Sequence, residues 1–378
     1  MNVAAPQSDG VFNRSQAVPA PSIIEGTTMD YYAGIDVSLE SSSLCVVDAT
    51  GRVVREAKIA SEPEALTAWL QNLGDRAGEG GLEIVRIGLE AGPLSQWLYA
   101  GMKQAGLPAE LLETRHVRTA FKIMPVKTDR KDARGIAQLM RLGWFRPVHC
   151  KSLAAQETRA VLGARKLLQI KLHDIEMSVR GTLRGFGLKV GKTTPKTFEN
   201  RVRSLVAEHP TLLSVSDALL RARTVLAEQF KRLDNQAHRA ARADKRARLL
   251  TTAPGVGSIV ALTYAAAVDD PGRFKSSKSV GPLFGLTPRR YQSGETDVTG
   301  RISKAGDATV RTALYEAANA ILERSAGDSP LRRWGLAVAR RAGMHKAKVA
   351  LARKLAVILH RMLVDGTPFD ASKAAAAA

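Results

Sequence analysis

Cysteine is nearly absent: Cys45 and Cys150 are the two in 378 residues, and neither has a partner at zinc-ligand spacing. Neither thiol needs a task, and a reduced, cytoplasmic setting is expected. Aromatic residues make up only 5% of the chain, so platforms for stacking successive nucleobases are few. No apolar run approaches the roughly 18 residues a membrane-spanning helix needs, and no membrane partner is expected. Residues 1–28 lack the basic start and apolar block of a secretory signal. They are polar, with Pro and Ser, and read as a disordered tail; Met29 is a candidate natural start, since a strand pattern follows it directly. No internal repeat is evident.

Acidic residues are also in deficit, and unevenly. Residues 1–114 hold 7 Lys and Arg against 15 Asp and Glu, a net of −8, whereas residues 115–378 hold 49 against 21, a net of +28. Solubility rarely needs so lopsided an excess, and basicity confined to one part points to a polyanion. With so few aromatics, phosphates and duplex shape are the expected points of contact. The remaining composition, 45% apolar and 24% charged, is that of an ordinary soluble protein long enough for two or three domains.

Along the chain, Tyr31–Ser38, Leu44–Ala49 and Val53–Ala60 read as three strands joined by short Ser- and Gly-containing turns, an antiparallel meander. Ser61-Glu62-Pro63-Glu64 opens a helix with Ser61 as its cap. A strand Glu83–Glu90, a helix near Ser95–Ala105, a strand Ala109–Thr114 and a helix beginning in KTDRKDARGIAQLM (Lys127–Met140) follow, so a mixed sheet with helices on its faces is expected. After Pro147 the strands are expected to stop. Residues 153–188 and 211–250 are long Ala-, Leu- and Arg-rich helical patterns broken at Gly187–Thr197, a projecting hairpin or coiled coil suited to dimerisation. The expected division is a tail over 1–28, an α/β domain over 29–150, a helical coiled-coil region over 151–250, a helical domain over 251–370 and a tail over 371–378.

Four carboxylates stand out. Asp36 and Glu90 end two apolar strands, so both should emerge at a sheet edge. Asp129 and Asp132, three apart, share a helix face. Four hard oxygen donors converging this way suit two Mg²⁺ ions and in-line attack on a phosphodiester. Each also has a local reading: a turn acid at Asp36 or Glu90, an N-cap at Asp129 with Asp132 at the third helical position, favoured by the helix dipole. Lys127, Arg130, Lys131 and Arg134 crowd the pair and are candidate phosphate contacts. Further on, Pro254-Gly255-Val256-Gly257 precedes an Ala-rich helix, either as a phosphate-binding turn or as a plain interhelical one. The segment TPRRYQSGETD (Thr287–Asp297) reads as a loop holding Ser293 and Gly294, with Arg289, Arg290, Arg301 and Lys304 nearby. On local sequence alone a Ser-Gly pair in a loop is a turn.

GIDVS, LEAG and KTDRKDA together resemble the Asp, Glu, Asp, Asp set of the RuvC-like transposases of the insertion-sequence "one-ten" family, whose relatives include Piv-type invertases. The resemblance continues in order through APGVG, GLTPRRYQSG, GRISKAGD and GTPFD (Gly366–Asp370), covering roughly residues 31–370; Pro93 after the Glu-Ala-Gly segment departs from relatives. It implies an N-terminal RuvC/RNase H-like α/β domain followed by mostly α-helical coiled-coil and transposase domains. It also implies Mg²⁺ on Asp36, Glu90, Asp129 and Asp132, and a nucleophilic serine at Ser293 that becomes linked to DNA; Ser303 and Ser258 are weaker candidates. The partners implied are donor and target DNA, a structured guide RNA (a bridge RNA) encoded beside the gene, and further copies of the chain in a homodimer or homotetramer. The setting implied is the bacterial cytoplasm, at the nucleoid. Three alternatives differ in kind. A RuvC-like nuclease would use water and leave Ser293 structural, and a nucleic-acid-binding scaffold would need no carboxylate. A sugar-kinase or actin-like ATPase shares Gly-Ile-Asp, but those folds follow it with a Gly-rich phosphate loop, and here VSLESSS follows.

Overall fold

The computed structural model describes residues 29–75, 83–122, 128–324 and 327–372. The expected N-terminal tail, Lys127 and most of the expected C-terminal tail lie outside these residues. The described chain forms two compact units, one up to Lys151 and one from Ser152 onward.

The first unit runs β1 (Asp30–Asp36), β2 (Ser41–Asp48), β3 (Val53–Ala60), α1 (Pro63–Asp75), β4 (Glu83–Glu90), α2 (Ser95–Gln104), β5 (Ala109–Leu112), α3 (Thr114–Phe121) and α4 (Asp129–Leu142). Its sheet has the order β3-β2-β1-β4-β5. The first three strands pair antiparallel, and β4 and β5 add in parallel beside β1. This is the mixed α/β sheet expected, with β3 and β4 at the predicted bounds.

Alternation along the central strands sorts their side chains onto two faces. Ala33, Ile35, Leu44, Val46, Ile87 and Leu89 pack with Leu66 and Leu70 of α1 and Leu98 and Met102 of α2. The opposite face receives α4. Gly34 and Gly88 are register partners on β1 and β4. A Cβ on Gly34 would fall 2.2 Å from the Ala133 carbonyl oxygen, and one on Gly88 would fall 2.6 Å from the Met140 sulfur. Glycine at both positions lets α4 lie directly on the strands.

Three local expectations change. Ser61 does not cap α1: its hydroxyl donates to the Ser38 carbonyl oxygen at 2.7 Å and lies 2.8 Å from the Ser42 hydroxyl. A separate helix, α3, intervenes before α4. The strands do not stop after Pro147, for a hairpin forms within the second unit.

That unit contains α5 (Leu153–Gly185), α6 (Phe198–Val206), α7 (Pro210–Ala243), α8 (Lys245–Leu250), α9 (Ser258–Val268), α10 (Val280–Leu283), β6 (Pro288–Ser293), β7 (Thr296–Ile302), α11 (Ala308–Asn319), α12 (Pro330–Ala342) and α13 (Met344–Asp365). At 33 residues, α5 is roughly 50 Å long, and it packs along α7. One end of the pair is closed by α6 through Phe198, Val202 and Val206 against Val179, Leu183 and Leu220. The other end joins a larger core in which α9, buried from Ala261 to Val268, packs against α5, α7, α8 and α11, and its Tyr264 hydroxyl donates to the Ala356 carbonyl oxygen of α13 at 2.5 Å. Among the described residues no helix is long and apolar enough to cross a membrane.

Candidate active site

Parallel pairing of β1 with β4 settles where the first two carboxylates emerge. Ile35 is in register with Leu89, so Asp36 and Glu90, one residue on, leave neighbouring strands at the same end. Each lies two residues beyond its glycine, Gly34 or Gly88, and therefore on the face that α4 covers.

The other two carboxylates open α4. Thr128, extended at φ −149° and ψ 150°, caps the helix, its hydroxyl accepting the Lys131 backbone N–H at 3.3 Å. The alternative local reading of Asp129 as the N-cap does not hold: a threonine oxygen already satisfies the helix end, and the aspartates fall at the first and fourth helical positions. Asp129 is exposed and Asp132 only 8% exposed. Asp132 precedes Ala133, whose carbonyl sits over Gly34.

Glu90 and Asp132 line one cleft of about 210 Å³ together with Arg118, Phe121 and Lys122. Asp36 reaches the same end of the sheet but is not among the lining residues, and neither is Asp129. Among the described residues no three His, Cys, Asp or Glu side chains stand together as a formed metal-binding group. The donors fit a hard divalent cation in kind, since oxygen ligands from two elements face one cleft. The full set of four is not drawn together.

The neighbouring cations divide into engaged and unengaged. Glu56, on β3 and opposite Cys45, receives Arg130 Nε at 2.6 Å and Arg134 Nη2 at 2.8 Å. It also forms a closer contact with Arg134 Nε. These bonds, Arg134 foremost, outweigh the opposing effect of burial and hold the Glu56 carboxyl down at about 2. Lys131 is exposed. Sequence reading passed over Glu56, Arg118 and Lys122; the signal for the last two was the basic spacing of Arg115, Arg118 and Lys122 before the aspartates.

In the second unit Ser293 is the last residue of β6, exposed, with Gly294 turning the hairpin at φ +54°. The expected loop is thus a two-stranded ribbon whose β6 residues are all exposed. Ser293 is opposite Thr296, and Tyr291 opposite Val298. Arg290 donates to both Asp297 oxygens, at 2.7 and 2.6 Å, and Arg289 to the Ser303 carbonyl at 3.4 Å. Arg301 and Lys304 are exposed. Ser303 accepts the Ala305 N–H at 3.3 Å, and Ser258 is the first residue of α9. Asp307 caps α11, accepting the Thr309 and Val310 N–H groups at 2.8 and 3.3 Å. Burial raises its carboxyl, but Arg159 and the capped N–H groups prevail and hold it below the usual range. The Pro254–Gly257 turn is packed: a Cβ on Gly255, at φ +72°, would lie 2.6 Å from the Ala317 carbonyl oxygen.

A transposase family model of the DEDD IS110 type matches residues 33–187, and a model described as the transposase IS116/IS110/IS902 family matches residues 247–333. The transposase for insertion sequence element IS1111A of Coxiella burnetii is 27% identical over 95% of this chain and 96% of its own length. The transposase for insertion sequence element IS1328 of Yersinia enterocolitica is 25% identical over 75% and 85%. The pilin gene-inverting protein of Moraxella bovis is 30% identical over 33% of this chain and 39% of its own. Among solved structures, Thermus thermophilus RuvC aligns to 31% of this chain and 99% of its own at 15% identity, with a TM-score of 0.23. Both family models fall in order along a chain that a transposase matches nearly end to end, and the chain belongs to the IS110/IS116/IS902 family of transposases, DNA-cutting and rejoining enzymes.

Proposed function

We propose that the protein is the recombinase of an insertion sequence, cutting and exchanging DNA strands through attack by Ser293 with Mg²⁺ at Asp36, Glu90, Asp129 and Asp132. The observation that carries the metal reading is the cleft shared by Glu90 and Asp132, which come from different elements and lie 42 positions apart in the chain. A divalent cation bound there would draw charge from a phosphodiester oxygen and favour loss of the serine proton. Ser293 Oγ attacks phosphorus and forms a serine phosphoester as the bond to the 3′ oxygen breaks. The serine proton passes to solvent, and the departing oxygen takes up a proton to become a 3′-hydroxyl. Attack by the 3′-hydroxyl of a partner strand reverses the step and releases the serine.

Lys127, Arg130, Lys131, Arg134, Arg289, Arg290, Arg301 and Lys304 are the proposed phosphate contacts. Arg130, Arg134 and Arg290 already hold carboxylates, but a guanidinium has five N–H donors and retains some for a second anion. Guidance by a structured RNA and a composite site in a homodimer or homotetramer acting at the nucleoid are supported by the family resemblance, and by the +28 net charge beyond residue 114, which a polyanion of either kind would neutralise.

The test combines full-length protein, RNA transcribed from the DNA flanking the gene, Mg²⁺ and both DNA partners. Recombinants and a protein–DNA adduct that survives denaturation are expected, and Ser293→Ala abolishes both. Recombination by that variant sinks the nucleophile assignment, and cleavage with no adduct favours water instead.

A further inference from the structure

The cleft holding Glu90 and Asp132 is completed from one short helix. Arg118, Phe121 and Lys122 are at or just beyond the C-terminal half of α3. Phe121 fixes where that helix lies: a Cβ on Gly135 would fall 2.5 Å from its ring, so the ring rests on α4 one turn beyond Asp132. Arg118 and Lys122, four residues apart, share a helix face. Both are exposed, and among the described residues no carboxylate engages either side chain. Arg130 and Arg134 nearby are paired with Glu56.

The charge pattern defines what such a cleft can admit. Two carboxylates on one wall repel a phosphodiester, and two uncommitted cations on the other supply the charge that lets one approach. The arginine fork matches phosphate oxygens geometrically, and the lysine adds a point charge.

We propose that Arg118 and Lys122 grip the backbone of the DNA strand being cut and hold its scissile phosphodiester against Glu90 and Asp132. This rests on the reading of the cleft as the cutting site. The ligand class is a DNA phosphodiester; Phe121 sets the distance between the two walls.

The experiment uses full-length protein and a DNA duplex carrying the element end. Binding is measured without divalent metal over a series of salt concentrations, and cleavage is measured with Mg²⁺, the RNA transcribed from the flanking DNA and both DNA partners. Each phosphate contact contributes about 0.9 to the slope of log K against log salt. Arg118→Ala with Lys122→Ala therefore flattens that slope by about 2 and slows cleavage about 100-fold. Arg118→Lys keeps the slope, because charge sets it, and still slows cleavage, because the fork is lost. A folding defect would not flatten the slope by this increment while the conservative variant restores it. Asp132→Asn is the separate control for the site. A double variant with unchanged slope and cleavage, alongside an inactive Asp132→Asn, overturns the grip and leaves the cutting-site reading standing. Slope lost only with RNA as the probe overturns DNA as the ligand. Wild-type cleavage by Asp132→Asn overturns the cutting-site reading and, with it, the placement of these cations at the scissile phosphate.

Discussion

Replacing Gly34 by alanine puts a methyl carbon 2.2 Å from the Ala133 carbonyl oxygen and 2.3 Å from the Ala137 nitrogen. Both are backbone atoms of α4, so no side-chain rotation relieves the contact. Bringing the pair to ordinary van der Waals separation requires α4 to retreat by about 1 Å, and overpacking of this kind costs about 1–3 kcal/mol. Because the obstruction is main chain, the upper end applies. About 3 kcal/mol corresponds to a fall of roughly 6–12 °C in the melting temperature of a unit near 150 residues. The same retreat carries Asp132 away from Glu90, and a 1 Å misplacement of reacting groups costs on the order of 100-fold in rate. Tryptophan fluorescence follows the unfolding well, since Trp69, Trp97 and Trp144 are in this unit, and DNA cleavage in Mg²⁺ follows the site. A Gly34→Ala protein with unchanged melting temperature and cleavage rate would refute the direct seating of α4 on β1 and the dependence of the site on it.

Three further outcomes are expected. Asp132→Asn abolishes cleavage while the protein still folds, because Thr128 remains as the cap and the helix-dipole contribution lost is about 0.3–1 kcal/mol; an unfolded variant instead would mark Asp132 as structural. Glu56, held at about 2 against an ordinary 4.5, stabilises the fold above the unfolded-state value, and that contribution is lost as pH falls from about 4.5 towards 2. With both arginines substantially exposed, screening reduces it to about 1 kcal/mol; Glu56→Gln removes this part of the acid dependence of stability, checked by urea unfolding at pH 3 and pH 6. Glu56→Gln also releases Arg130 and Arg134, so DNA affinity at low salt rises severalfold if these arginines meet phosphate; unchanged affinity in a filter-binding titration counts against that role.

Much of the first unit was legible because its information is local. Apolar alternation bounded by Gly and Ser marked the strands, and strand ends marked Asp36 and Glu90. The hairpin β6–β7 escaped because its strands have no buried face: with β6 exposed throughout, no hydrophobic alternation distinguishes a ribbon from a loop. Helix α3 was passed over because only eight residues form it, too few for a clear period. Thr128 as the cap was equally local, yet the charged run after it drew the assignment to Asp129.

By itself the sequence determined the strand and long-helix framework, the carboxylates at strand ends, the basic excess and the family motifs, since each is carried by residue type and near-neighbour spacing. Only the tertiary structure decided which groups meet. Parallel pairing of β1 and β4 puts Asp36 beside Glu90, and a glycine seat brings α4 and Asp132 to the sheet. Glu56 claims Arg130 and Arg134 from 74 and 78 positions away, and α3 presents Arg118 and Lys122 to the cleft. Such encounters depend on close packing between elements distant in the chain, which no local pattern encodes.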